Sequence, residues 1–555
     1  MQNYQEFSLF APYNNAVNLI GSFSNWQEIP MSKGEDGYFR TQIELIDGVY
    51  QYKFRLQTKS PNFTVDEWIE AIDPYATDVD RDNHNSILQI KDGKKIVDDY
   101  VWQHDDKSLP SNRELIIYEL HVADFSGGDG DEQNHGKFQD VIEKLDYLSE
   151  LGINAIEFMP VNEFPGDYSW GYKVRHFFAT ESSYCSSYDY KQLIDECHAR
   201  GIRVLMDGIY NHSDEACPLL LVDRNYWYYP SAKNPNDPNN YWGPEFNYEK
   251  YDENLGIRPA WKFIGDVVRY WIQEFHLDGI RFDAVAQLNN NDFFHWITQE
   301  ARNIAGSKAF YNVGERIPES PDLVGLKGPM DGCWHESFRY FIVPYISGEQ
   351  FDLNQLKEVL DGKPQGYEDA TNMVNYFASH DRNHLMAELG DRGIFDRAAF
   401  QRLKLAAVLL MTAVGIPMIW MGEEFGMPSR QTPNRPNKLD WSLLESDRNQ
   451  DLLSYYKRLI SLRKEHPAIQ SNNIEFFHEN PAAKVLAYVR WNDAGDRVVV
   501  VANFSSQFLA SYQVTKFPAT GKWYELTCDC EVEATDKGAT VDLAEYEAKV
   551  LVLAN

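Results

Sequence analysis

The sequence predicts a multidomain α/β protein, with a central (β/α)8 barrel carrying a β-sandwich at each end. Three observations predict it. At 555 residues the chain exceeds what one hydrophobic core supports. Its two ends read as short strands punctuated by turns. Its long middle alternates strands with amphipathic helices, which implies right-handed βαβ crossovers and a parallel sheet. A middle of this length closes better as a barrel than as an open sheet. The reading places the N-terminal unit at 1–102, the barrel at 112–466 and the C-terminal unit at 470–555.

In the N-terminal unit, AVNLIGSF (16–23), YFRTQIEL (38–45), GVYQYKFRL (48–56) and SILQI (86–90) read as strands. Tyr50, Tyr52 and Phe54 alternate with Gln51, Lys53 and Arg55, the period of two of a half-buried strand. The polar stretch 103–113 reads as a linker. Seven barrel strands follow, at 115–122, 154–161, 204–210, 279–285, 309–315, 372–381 and 416–423, with the eighth expected near GCWHESF (332–338). Helical periodicity fills 138–151, 188–200 and 261–275. One connection, 213–258, is rich in Asn, Pro, Tyr and Trp and is expected to form a functional lid or inserted subdomain. After a helix at 451–465, the runs KVLAYVRW, RVVVVANF and KVLVLAN return to β structure.

Composition narrows the partners. With 52 basic and 84 acidic residues the net charge is −32, which would repel nucleic acid and anionic membranes and leaves uncharged partners open. Abundant Trp, Tyr and Phe suit the flat faces of sugars. No apolar run approaches the ~18–20 residues of a membrane helix. The N-terminus has no basic start followed by an apolar core. Six cysteines form no CxxC pair or Cys/His metal spacing, so thiols in a reducing cytoplasm are expected.

Parallel barrels gather functional groups where strands end. The third strand end offers Asp207, Asn211 and His212, and the fourth Arg281 and Asp283, two apart and so on one face. The fifth ends in Glu315 and the seventh in His380 and Asp381. Three acids with an Arg and two His suit cleavage of a glycosidic bond. One carboxylic acid protonates the leaving oxygen, and one carboxylate meets the anomeric carbon. Arg281 would keep Asp283 ionised and aimed, whereas Glu315 would need a raised pKa to hold its proton.

VLMDGIYNH (204–212), DGIRFDAV (278–285), NVGE (312–315) and FASHD (377–381) resemble, in order, the four conserved regions of the α-amylase clan of glycoside hydrolases. GSFSNW (21–26) is similar to the immunoglobulin-like glucan-binding module that precedes branching enzymes, debranching enzymes and trehalohydrolases. The resemblance spans nearly the whole chain. It implies Asp283 as nucleophile, Glu315 as general acid and then base, and Asp381 as transition-state stabiliser. It further implies substrate contacts from His212, His380, Asp207 and Tyr172, the last stacking on the sugar from SWGY (169–172), with Trp170 beside it and Arg281 orienting the nucleophile.

Subgroup signals are mixed. SWGY, YELHV (118–122), DGCWHESF (331–338) and MGEEFG (421–426), with Ser379 before His380, resemble branching enzymes and trehalohydrolases, while Asn211–His212 is the amylase and trehalohydrolase form. The expected activity is hydrolysis of α-1,4 bonds in starch, glycogen or maltooligosaccharides. Branching transfer and trehalose release from maltooligosyl-trehalose are the alternatives, and a non-catalytic glucan-binding protein is disfavoured by the intact acids. No cofactor is expected. Calcium, which relatives hold through the position of Asn211, could draw here on Asp214, Asp223 and Asp252 but is not counted on. Other residues take plainer roles: Trp26 core or interdomain, Cys333 packing, and Glu423 and Glu424 off the substrate. The rings of 226–248 divide between a sugar platform and the loop's own core.

Overall fold

The computed structural model describes residues 3–80, 84–433, 435–527 and 529–553. Eight parallel strands close into a barrel in chain order. They are β1 Ile117–Leu120, β2 Ala155–Phe158, β3 Arg203–Gly208, β4 Gly279–Phe282, β5 Tyr311–Gly314, β6 Gly332–His335, β7 Met373–Asn375 and β8 Ile416–Trp420. β8 pairs back onto β1, and β6 is the strand sought near 332–338.

Successive strand residues point to opposite sides. One set, including Ile117, Ala155, Leu205, Val313, Trp334, Val374 and Met418, fills the barrel interior. The alternate set, including Ile116, Tyr118, Ile156, Val204, Met206 and Phe282, packs outward into the core shared with the helices. One pleat nearer the mouth, the inward set changes from apolar to Glu119, Glu157, Asp207 and Arg281, all 3% exposed or less. The helices obey the complementary rule. In Pro259–Phe275, which starts on a proline, Phe263, Ile264, Val267, Val268, Trp271 and Phe275 recur on one face and are buried.

The N-terminal unit holds two antiparallel sheets around Phe7, Leu9, Phe39, Phe54 and Leu56. The C-terminal unit is one connected eight-stranded antiparallel sheet whose strands share a core containing Val485, Val499, Trp523 and Leu551. The connecting stretch after residue 100, which includes the expected linker, is strapped to the barrel. Tyr100 Oη and the Gln103 and His104 amides donate to Asp195, and Trp102 stacks on His276 at 4.0 Å.

The insert after β3 packs its rings into the core shared with the barrel helices, Phe246 lying against Phe177 and Phe263. Tyr226, Trp227, Tyr228, Phe246 and Tyr248 are buried, and the Tyr228 and Phe246 rings stack at 4.4 Å. The N-terminal unit docks on it through Asn14 to the Val222 carbonyl at 3.0 Å and Tyr13 Oη to Asp252 at 2.9 Å. Trp26 is 42% exposed, so it does not fill the core. Cys185, Cys197, Cys217 and Cys333 are free, but Cys530 is disulfide-bonded, against the expectation of thiols throughout. Among the described residues no helix is long and apolar enough to cross a membrane.

Candidate active site

Asp283 and Glu315 stand directly after β4 and β5, and Asp381 lies on the segment that leaves β7 to shape the barrel mouth. The turn after Asp283 is sharp, with Ala284 left-handed at φ 52°. Two backbone bonds and one to a side chain tie it to the next strand. Glu315 N–H donates to the Phe282 carbonyl, Val285 N–H to the Glu315 carbonyl, and Ala284 N–H to Glu315 Oε2, each at 2.9 Å.

Arg281 organises the floor. Its Nη1 donates to both oxygens of Asp207, at 2.7 and 2.6 Å, and to Asp283 Oδ1 at 2.9 Å. The guanidinium lies 4.4 Å from the Trp334 ring centroid, a cation–π contact that fixes its plane. Tyr172 Oη donates to Asp207 at 2.7 Å, and its ring stacks on His380 at 5.0 Å, with Trp170 edge-on to that imidazole at 5.5 Å. His380 meets Glu119 through Nδ1 at 2.6 Å and Asp381 through Nε2 at 3.3 Å.

Charge follows from these contacts. Burial raises Asp283; Arg281 opposes this, while Asp207, Glu315 and Asp381 add to it. Burial likewise raises Glu315 against the pull of Arg281 and the Ala284 amide. Two raised carboxyls side by side titrate as a pair. Both carboxyls have a contact that favours ionisation, the charged Arg281 at Asp283 and the weaker, neutral Ala284 amide at Glu315. Burial alone would lower His380, but Asp381 and Glu119 lift it to about 10. The same His380, with Arg281 and Arg382, outweighs desolvation and holds Asp381 well below the usual carboxylate range. Asp381 is also the open member of the set, with 46% of its side chain exposed. The arrangement therefore presents a coupled pair of raised carboxyls, one of them on Arg281, and a third, solvent-facing carboxylate around a single opening.

All nine residues read from the sequence gather here, but their outlooks differ. Asp207 is taken up by Arg281 and Tyr172. His212 is 1% exposed, with Nε2 on the Tyr172 carbonyl at 2.8 Å, and burial lowers it to about 4. These two hold Tyr172 and Arg281 in place. Sequence reading missed Glu119, Glu157 and Trp334. It also missed Gln431, whose amide donates to the Ser379 and Arg382 carbonyls on either side of His380–Asp381, at 2.6 and 2.5 Å. The signal for the two glutamates was present: each is the one charge inside an otherwise apolar strand, YELHV and IEFMP.

The insert contributes one exposed ring at the rim, Trp242, 5.8 Å from the His212 ring. A cavity of about 310 Å3 lies between the insert and the turn after Asp283, lined by Lys233, Asn234, Asp237, Tyr241, Gln287 and Asn289. A larger one, about 790 Å3, sits against the C-terminal sheet, and neither cavity is lined by a catalytic candidate. Glu423 and Glu424 are buried on tyrosines, Tyr456 for one and Tyr118 and Tyr147 for the other. The acids suggested for calcium are dispersed: Asp214 accepts from Arg175 and Asp252 from Tyr13 and Tyr226. Among the described residues no group of three His, Cys, Asp or Glu side chains is placed to hold a metal.

Residues 121–320 and 337–442, more than half of the chain, match the alpha amylase catalytic domain. The chain belongs to the alpha-amylase family. Residues 2–76 match carbohydrate-binding module 48, the isoamylase N-terminal domain, and 477–554 match the alpha amylase C-terminal all-beta domain. Alpha-amylase family relatives include the malto-oligosyltrehalose trehalohydrolase of Saccharolobus solfataricus, 28% identical over 83% of this chain and 85% of that protein. The pullulanase of Bacillus subtilis is 27% identical over 84% and 70%. A 1,4-alpha-glucan branching enzyme of Pseudoalteromonas atlantica is 24% identical over 90% and 72%. The fold is shared with the maltose-bound Bacillus subtilis pullulanase (TM-score 0.84, 23% identity, 100% of this chain and 85% of that one). It is shared also with a Paenibacillus barengoltzii pullulanase holding maltohexaose and alpha-cyclodextrin (0.80, 23%, 100% and 94%).

Proposed function

We propose that this alpha-amylase family enzyme is a retaining glycosidase that hydrolyses α-1,4 bonds of starch, glycogen or maltooligosaccharides. The observation that carries the reading is the asymmetry of the central pair: Asp283 contacts Arg281, while Glu315 accepts only a neutral amide. Glu315 gives its proton to the glycosidic oxygen as the Asp283 carboxylate attacks the anomeric carbon. The C–O bond breaks, the leaving sugar departs with that proton, and a β-glycosyl-enzyme remains. Glu315, now a carboxylate, takes a proton from water, whose oxygen displaces Asp283 and restores the α configuration. Asp381, fixed by His380, accepts hydroxyls of the reacting sugar, and Tyr172 offers its ring face. The chemistry requires no metal, and the substrate is an uncharged glucan, which the −32 net charge does not repel.

A second reading rests on the motifs. SWGY together with Asn211–His212 is the combination found in trehalohydrolases, and the Saccharolobus solfataricus trehalohydrolase is 28% identical over 83% of this chain, which favours release of trehalose from maltooligosyl-trehalose over debranching or branching. Incubation with amylose, followed by iodine staining, reducing ends and α-1,6 linkages together, tests the first reading. Falling stain with rising reducing ends is expected. Falling stain with new α-1,6 linkages and constant reducing ends would replace hydrolysis by transfer. Inert amylose with trehalose released from maltooligosyl-trehalose would select the second reading.

A further inference from the structure

The barrel mouth holds more acid than it can keep charged. Glu119, Glu157, Asp207, Asp283, Glu315 and Asp381 surround two buried cations, Arg281 and His380, with Arg382 at the rim near Asp381 and paired to Glu336. Buried charges without partners carry a heavy desolvation penalty. Four of the acids touch a cation: Asp207 at 2.6 Å and Asp283 at 2.9 Å on Arg281, Glu119 at 2.6 Å and Asp381 at 3.3 Å on His380. Glu315 has the Ala284 amide and a proton to deliver. Glu157 has neither. It is 2% exposed, contacts no cation among the described residues, and its Oε2 is enclosed without a hydrogen-bond partner.

Its neighbour in the ladder is specific. β1 and β2 pair in register with Glu119 opposite Glu157, so the two carboxyls project side by side into the barrel. The other groups facing Glu157 are Asp207 from β3, Arg281 from β4, Tyr311 from β5 and His380 from beyond β7.

We propose that Glu157 is held as a neutral carboxylic acid that hydrogen-bonds Glu119, making it a positioning residue for His380 and, through His380, for Asp381. The proton stays on Glu157 as donor. Glu119 then accepts from Glu157 on one side and from His380 Nδ1–H on the other, which fixes the imidazolium so that Nε2–H points at Asp381. Burial first, and the Glu119 charge second, push the Glu157 carboxyl up to about 8, in the direction this role requires.

Infrared spectroscopy of the full chain at pH 7 tests the protonation directly. The spectrum of wild type minus Glu157→Gln is expected to contain the C=O stretch of an undissociated carboxylic acid, shifting in deuterated solvent. The same band should survive in Glu315→Gln, so this arm does not depend on the catalytic assignment. Its absence from the first difference, or its loss in Glu315→Gln alone, overturns the proposal. The second arm rests on the proposed function. Glu157→Leu is expected to lower kcat about tenfold, the kinetic equivalent of one hydrogen bond, with KM changed less than about twofold. Glu157→Gln, which can still donate to Glu119, should recover most of that loss and move the alkaline limb of kcat to higher pH, because the group that would ionise is gone. Unchanged kcat in Glu157→Leu, or Glu157→Gln as impaired as Glu157→Leu, overturns the positioning role. If the leucine variant does not fold, the glutamine variant's infrared band and pH profile decide. A band present in a chain inactive on every glucan would fault the assigned reaction and leave Glu157 standing.

Discussion

Replacing Asp283 by Asn should abolish activity and stabilise the fold at the same time. Burial raises the Asp283 carboxyl; Arg281 offsets this only in part, and Asp207, Glu315 and Asp381 add to it. The folded chain thus holds this proton more tightly than the unfolded chain, whose Asp titrates near 3.8. With fewer protons bound in the unfolded state, stability falls as pH rises from about 4 toward the raised folded value. Each unit of separation is worth about 1.4 kcal/mol, which sets a ceiling of about 4 kcal/mol at pH 7. Proton sharing with Glu315 and the Arg281 contact, which an Asn oxygen keeps, reduce the expected gain to about 2 kcal/mol. The barrel transition should rise by about 2–4 °C at pH 7 and converge with wild type near pH 4. Release of reducing ends from amylose should fall by at least ~10^4-fold. Calorimetry and amylose assays at pH 4, 6 and 7 read both effects. A lower Tm in a folded Asp283→Asn, or a gain independent of pH, would refute the charge argument. Turnover within tenfold of wild type would refute the nucleophile.

Glu315→Gln should cut glucan turnover by about 10^2–10^4-fold while sparing α-glucosyl fluoride, whose leaving group needs no proton; equal loss on both substrates would remove Glu315 as the acid. Trp242→Ala should raise KM for maltooligosaccharides about tenfold with kcat nearly constant, since a rim ring binds without reacting; an unchanged KM would take Trp242 out of the binding surface. His380 is raised above its unfolded value, so its contribution is full below about pH 6.5 and lost as pH climbs through about 10. The stability gap between wild type and His380→Gln should shrink over that interval in urea unfolding, and a widening gap would contradict the assignment. EDTA should leave Tm and activity unchanged; a fall in Tm restored by calcium would show a cation site.

The catalytic candidates were legible because a parallel barrel converts sequence order into a ring. Asp283, Glu315 and Asp381 each follow a hydrophobic run, and closure brings those ends together. Strand limits were read too long for the same reason. The run 372–381 yields only Met373–Asn375 as ladder, since Tyr376–Asp381 leave it to shape the mouth. Long-range support was not legible. Nothing in the sequence near His380 names Glu119 as its partner, 261 positions away, or Gln431 as the clamp on its turn. The aromatic stretch 226–248 was ambiguous because core rings and sugar-facing rings share a composition. Burial separates them, and Trp242 is the ring left open beside His212.

The three bonds joining residues 282–285 to Glu315 act as a gauge block. They set the spacing between the groups proposed to attack and to protonate through two backbone bonds and one amide–carboxyl bond between neighbouring strands, made without the insert, the Gln431 loop or either flanking domain. Those outer parts can be rebuilt, lengthened or exchanged while the spacing stays fixed. A lineage using this barrel can therefore change which sugar enters and which molecule takes the product without relearning how to break the bond.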